Sequence, residues 1–209
     1  MKNKHLLLLL LISFFAVTSL AEEFTVIPAS YQDIERVRDG GFVLFLRHGP
    51  TDSAQPDHVP VDLDDCLTQR PLTDEGRLLM DQVGKAIAQV DIPLGNIHTS
   101  PLCRAVETTE IVFSERPYII EDHLMYVAAL TTQEKAPIIA RTHALLVEAV
   151  PAGENRVLVA HGPNLVEVMD YFPVEGALVI FKPDVTHQRF EYISTIEPDH
   201  WSTLLSRNE

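Results

Sequence analysis

Residues 42–49 read Phe42-Val43-Leu44-Phe45-Leu46-Arg47-His48-Gly49. Five apolar residues without a polar interruption are too few for a buried helix, and they follow the helix-stopping pair Gly40-Gly41. The run therefore reads as a strand buried on both faces, as in a parallel sheet covered by helices. Its end is abrupt, because a guanidinium and an imidazole follow at once. In an open α/β sheet, ligands bind at the carboxyl ends of the strands.

The pattern repeats outward from this stretch. Ser30 caps a short helix over 31–38 before the strand. A loop over 50–72 with Pro50, Pro56, Pro60 and Pro71 follows it, then a helix from Thr73-Asp74-Glu75 to about Asp91 with Leu78, Leu79, Val83, Ala86, Ile87 and Val90 on one face. Residues 96–99 form a second strand, with Ser100 expected as N-cap and Pro101 as first helical residue of the next helix. A weak strand over 118–120 and a helix over 132–150 lead to the strand 156–160, which runs into His161-Gly162-Pro163-Asn164. A helix over 164–171 and strands over 176–181 and 188–196, joined by a Pro183-Asp184 turn, close the chain. Such alternation implies a three-layer α/β/α sandwich with a largely parallel central sheet.

Residues 1–21 stand apart. Lys2 and Lys4 precede an apolar run from Leu6 to Leu20, and Ser19-Leu20-Ala21 places small residues where signal peptidase reads. The run is shorter than the roughly 20 residues that span a bilayer. Residues 1–21 are thus expected to be a cleaved signal peptide, leaving a single domain over 22–209, periplasmic or secreted, with no membrane attachment after cleavage. Removing two lysines and no acid takes the formal net charge from −14 to −16. That surface repels polyanions, so nucleic acid is not an expected partner, and a phosphate site must be a local cationic pocket. Cys66 and Cys103 are an even pair in a chain bound for an oxidising compartment. A disulfide between them is expected, two buried thiols being the alternative.

Arg47-His48, Arg104 and His161 lie just past three strands. Two guanidiniums can fork onto phosphate oxygens and two imidazoles can attack or hydrogen-bond a phosphoryl group, so the set suits phosphoryl transfer. Four segments carry a resemblance: 46–51 (LRHGPT), 72–77 (LTDEGR), 99–108 (TSPLCRAVET) and 160–165 (AHGPNL). Together they resemble, in order and spacing, the signatures of the histidine phosphatase (phosphoglycerate mutase-like) superfamily. Residues 62–70 (DLDDCLTQR) also resemble a bacterial, often exported subgroup with a cysteine directly before the phosphate-binding arginine.

The resemblance implies a phosphoric monoester hydrolase with no metal and no cofactor, acting on a small phosphorylated substrate. His48, as neutral imidazole, attacks phosphorus to give a phosphohistidine, and Arg47, Arg104 and His161 hold the phosphoryl oxygens. Arg70 is a further phosphate contact or a surface residue. Many relatives supply a leaving-group acid where this chain has Leu124-Met125-Tyr126-Val127, so the acid is sought at Glu175 or Asp52, then at Glu121 or Asp122. Phosphoglycerate mutase-like transfer and a phosphate-binding protein without turnover are the alternatives. The acids Asp62, Asp64 and Asp65 lack the spacing of a calcium loop and read as solvated or arginine-pairing. Oligomeric state is not legible.

Overall fold

The computed structural model describes residues 24–206. The expected signal peptide, residues 1–21, lies outside the described residues. Six strands, β1 (Val43–Arg47), β2 (Leu94–Thr99), β3 (Ile119–Ile120), β4 (Asn155–Ala160), β5 (Leu178–Asp184) and β6 (Arg189–Ile196), form one sheet in the order β3-β2-β4-β1-β5-β6. β1, β2, β3 and β4 run parallel, whereas β5 pairs antiparallel with β1, and β6 antiparallel with β5.

All five residues of β1 are buried because its alternate side chains enter two cores. Leu44 and Leu46 join one with Ile34 and Val37 of α1 (Tyr31–Arg38), Met80, Val83 and Ile87 of α2 (Asp74–Gln89), and Ala105 and Val112 of α3 (Cys103–Val112). Val43 and Phe45 enter the other, with Leu145 and Leu146 of α4 (Thr132–Val147) and Leu165 of α5 (Gly162–Met169). The three-layer α/β/α sandwich is thus in place, and its central strands hold β1 and β4 side by side, in register from Val43 opposite Arg156 to Arg47 opposite Ala160. Arg47-His48 and His161 therefore leave the sheet at the same level.

Local departures from the sequence reading have identifiable causes. The β5–β6 turn falls at Val185–Gln188, not at Pro183-Asp184. Pro183 stays in β5 because that strand has run past its pairing with β1, which ends at Phe181, so the missing N–H faces no partner strand. Asp184 caps the turn by accepting from the His187 N–H at 3.2 Å. α5 begins at Gly162, two residues earlier than expected, and stops at Asp170, whose φ of 56° is left-handed. A short helix, α6 (Trp201–Leu205), is missing from the sequence reading and adds Trp201 and Leu204 to the first core.

The segment after β1 packs closely on α2. A Cβ at Gly76 would lie 2.3 Å from the Pro50 carbonyl oxygen, so only glycine admits this approach. On the other side Gly176, at φ 81°, donates its N–H to the carbonyls of His48 and Arg47 at 3.0 and 3.2 Å. The backbone around His48 is thereby fixed from both flanks.

Candidate active site

His48 and His161 are almost fully buried, with ring centroids 5.1 Å apart. The Nδ1 of His48 is 2.9 Å from the Gly49 carbonyl, which can only accept. Nδ1 thus carries the proton and the lone pair sits on Nε2. Burial, reinforced by the nearby Arg104 and Arg47 charges, pushes the imidazole well below the usual histidine range, so it is neutral at neutral pH. A neutral, fixed tautomer with a free Nε2 is a nucleophile. His161 is pushed down likewise by burial and then by His48 and Arg104, and its Nε2 lies 2.8 Å from the Ser100 hydroxyl. The Ser100 hydroxyl can donate to that nitrogen or accept from it, so either ring nitrogen of neutral His161 can carry the proton.

Ser100 is consequently not the cap of α3. The helix starts at Cys103 after Leu102, two residues later than expected, and its first N–H is capped from a distance by Gln69 Oε1 at 2.8 Å. Gln69 belongs to the 50–72 loop, and a disulfide joins its neighbour Cys66 to Cys103 with 5.7 Å between Cα atoms. Arg104 remains in the first turn, 1% exposed. Its backbone carbonyl accepts from Thr108, whose hydroxyl in turn accepts the Gly49 N–H at 3.0 Å. α3 is thus locked to the nucleophile segment.

Five of the ten buried side-chain nitrogens and oxygens that lack a hydrogen-bond partner among the described residues fall on four residues here. They are Nε of Arg47, Nε of Arg70, Nε and Nη2 of Arg104, and Nδ1 of His161. Buried polar atoms are ordinarily paired, so four guanidinium nitrogens and an imidazole nitrogen left open in one place mark a site for an anion. Arg70, whose charge bears on His48, His161, Arg47 and Arg104, is thus placed with the core set. Burial lowers the pKa of both Arg47 and Arg104, but guanidinium stays charged in proteins.

The carboxylates divide. Glu175 accepts from the Thr51 hydroxyl at 2.8 Å, lies 3.4 Å from Arg47 Nη2, and is 4.0 Å from Nδ1 of His48, the ring nitrogen nearer to it. Asp52 is turned into its own bend, accepting from the Gln55 side chain and the Ala54 N–H, which hold its pKa below the usual carboxylate value. It is the wrong direction for a proton donor. Glu121 is engaged by Arg141. Three residues missed by sequence reasoning also line the site. Asp57 accepts from Arg104 Nη1 at 2.8 Å. Tyr126 meets His161 edge-on at 5.7 Å with Arg104 over its ring. Phe172, 56% exposed, stacks against Arg47 at 4.5 Å. Of these, only Tyr126 falls in a stretch the sequence had singled out, 124–127, where an acid is expected from the resemblance and none stands.

A strand-end bowl with two neutral histidines and open guanidiniums is the layout of a phosphoryl-transfer enzyme. The family model of the histidine phosphatase superfamily (branch 1) matches residues 43–149, more than half of the chain, and the chain belongs to that superfamily. Among solved structures it is similar to the protein histidine phosphatase SixA complexed with tungstate (18% identity, TM-score 0.54, covering 76% of this chain and 97% of that one). It is similar also to the alpha-ribazole phosphatase from Shigella flexneri (16%, 0.53, 75% and 96%). A third is the phosphoserine phosphatase from Entamoeba histolytica in complex with 3-phosphoglyceric acid (16%, 0.51, 77% and 98%). At these identities the likeness is one of fold. No curated protein matches the chain by sequence.

Proposed function

We propose that this chain is a metal-independent phosphatase that hydrolyses small phosphomonoesters outside the cytoplasm, through a phosphohistidine on His48. The observation that carries the reading is the neutral His48 with its free Nε2, set among four open buried guanidinium nitrogens. Nε2 attacks phosphorus in line while Arg47, Arg104, Arg70 and His161 Nδ1 hold the oxygens on which charge accumulates. The P–O bond to the leaving group breaks, and water then cleaves the N–P bond to release phosphate. Glu175 holds Arg47 and Thr51 in place, a positioning role that suits its seat beside Nδ1.

Extracellular or periplasmic action rests on the signal-peptide pattern of residues 1–21, and a small substrate on the acidic surface. The lack of a carboxylate in Leu124-Met125-Tyr126-Val127, together with the export pattern, argues against mutase chemistry. Hydrolysis of p-nitrophenyl phosphate by residues 22–209 with EDTA present tests the reading. Turnover is expected in the wild type and not in His48→Ala; unchanged turnover in that variant sinks the phosphohistidine route. Phosphate binding with no turnover in either would leave a binding protein.

A further inference from the structure

Breaking a P–O ester bond leaves a basic oxygen unless a proton is supplied, and neither acid expected from the sequence is placed to supply it. Asp52 is folded into its own turn and Glu175 sits on the Nδ1 side of His48. We propose that Asp57 is the general acid, giving its proton to the leaving oxygen of a phosphomonoester seated on Arg104, and the base for water in the second half-reaction. This rests on the phosphohistidine reading above.

Three observations place it. Asp57 Oδ1 is 2.8 Å from Arg104 Nη1, and the same guanidinium keeps Nε and Nη2 open for the phosphoryl group, so carboxyl and substrate share one cation. Oδ1 also accepts the Arg70 backbone N–H at 2.8 Å, while Oδ2 takes no hydrogen bond among the described residues. One oxygen is anchored and the other is free to carry a proton. The loop is not a loose flap either. The Cys66–Cys103 disulfide and the Gln69 cap on Cys103 fix it against α3, and a His58 N–H to Thr68 carbonyl bond of 2.8 Å ties its two arms together.

With the pocket unloaded, the carboxylate neutralises a buried guanidinium. An arriving phosphate dianion takes over that cation, and in the proposed step Asp57 meets it as the carboxylic acid, with the proton on Oδ2. Nε2 then bonds to phosphorus, the P–O bond breaks, and the Asp57 proton goes to the leaving oxygen, giving the free alcohol and a carboxylate. In the return step Asp57 takes a proton from the attacking water, the N–P bond breaks, and phosphate, neutral His48 and protonated Asp57 result.

Phenyl phosphate and p-nitrophenyl phosphate separate this role from others, because p-nitrophenolate departs without a proton and phenolate does so poorly. In Asp57→Asn, with folding checked by thermal melting, kcat on phenyl phosphate should fall about 10²–10⁴-fold. On p-nitrophenyl phosphate it should fall less than about tenfold, with Glu175→Gln affecting both substrates alike. Equal losses on both in Asp57→Asn, carried mainly in KM, would reduce Asp57 to a positioning residue for Arg104. A faster Asp57→Asn enzyme would make it a mere stand-in for phosphate. A substrate-dependent loss in Glu175→Gln instead, or a wild type inert on phenyl phosphate, would also overturn the proposal. Retained activity in His48→Ala would show separately that the underlying phosphohistidine reading fails.

Discussion

The ends of β1 and β4 and the loop over 50–72 supply the same pocket by opposite means. Arg47, His48 and His161 issue from adjacent parallel strands whose side chains fill both cores, so their positions follow from packing that spans the whole domain. Asp57 and Arg70 come from a segment with scarcely any buried residue of its own, Gln69 and Leu72 excepted. It is held by a disulfide, one long-range cap and a few carboxylate bonds. The first region can be expected to carry the invariable part of the chemistry, and the second to tune leaving group and substrate.

Breaking the strand-end side should have the largest effect. His48→Ala should lower kcat by about 10⁴-fold or more, since removal of a nucleophile leaves only binding and charge stabilisation, and steady-state kinetics reads it directly. Arg104 joins the two regions. Its replacement by Lys should cost about 10²–10³-fold in kcat/KM, the scale for losing one oxyanion donor, because an ammonium cannot present Nε and Nη2 as a fork while bonding Asp57 through Nη1. An Arg104→Lys enzyme of near wild-type kcat/KM would mean that only charge matters there.

On the loop side, a Cys66→Ala, Cys103→Ala double variant should lose about 2–4 kcal/mol of stability, the usual worth of a disulfide closing a loop of this length. Urea unfolding measures it. Its kcat/KM should fall as well, because Arg104 and Asp57 lose their common tether. A fully stable, fully active double variant would show that Gln69 alone fixes the loop.

The smallest effect is one of pH. His48 and His161 have folded-state pKa values well below the ordinary 6.5, so the unfolded chain binds more protons than the native one in that window. Stability is therefore complete above about pH 6.5 and declines as pH falls from there toward the depressed values. Urea midpoints between about pH 5 and 8 should show that slope, and His161→Gln should reduce it.

The same contrast explains what could be read from sequence. Buried strands announce themselves by uninterrupted apolar runs, and a cation or imidazole at their ends is conspicuous, so Arg47, His48, Arg104 and His161 were legible before any fold was known. Asp57 was not, because a proline-rich loop has no period that says which of its acids turns inward, and Asp62, Asp64 and Asp65 of the same loop are the denser acidic cluster. The start of α3 was misplaced because Ser100 has capping chemistry, yet its hydroxyl serves His161 and a glutamine distant in sequence supplies the cap. α6 has five residues, too few for a helical period to show.

The central claim is that His48 becomes covalently phosphorylated during turnover. Rapid quenching of the wild-type enzyme with a ³²P-labelled phosphomonoester, followed by proteolysis and peptide mapping, tests it most directly. The prediction is an acid-labile, base-stable label on the peptide containing His48, formed and lost at rates compatible with kcat and absent in His48→Ala. Turnover with no labelled enzyme at any quench time, or a label on another residue, would contradict it.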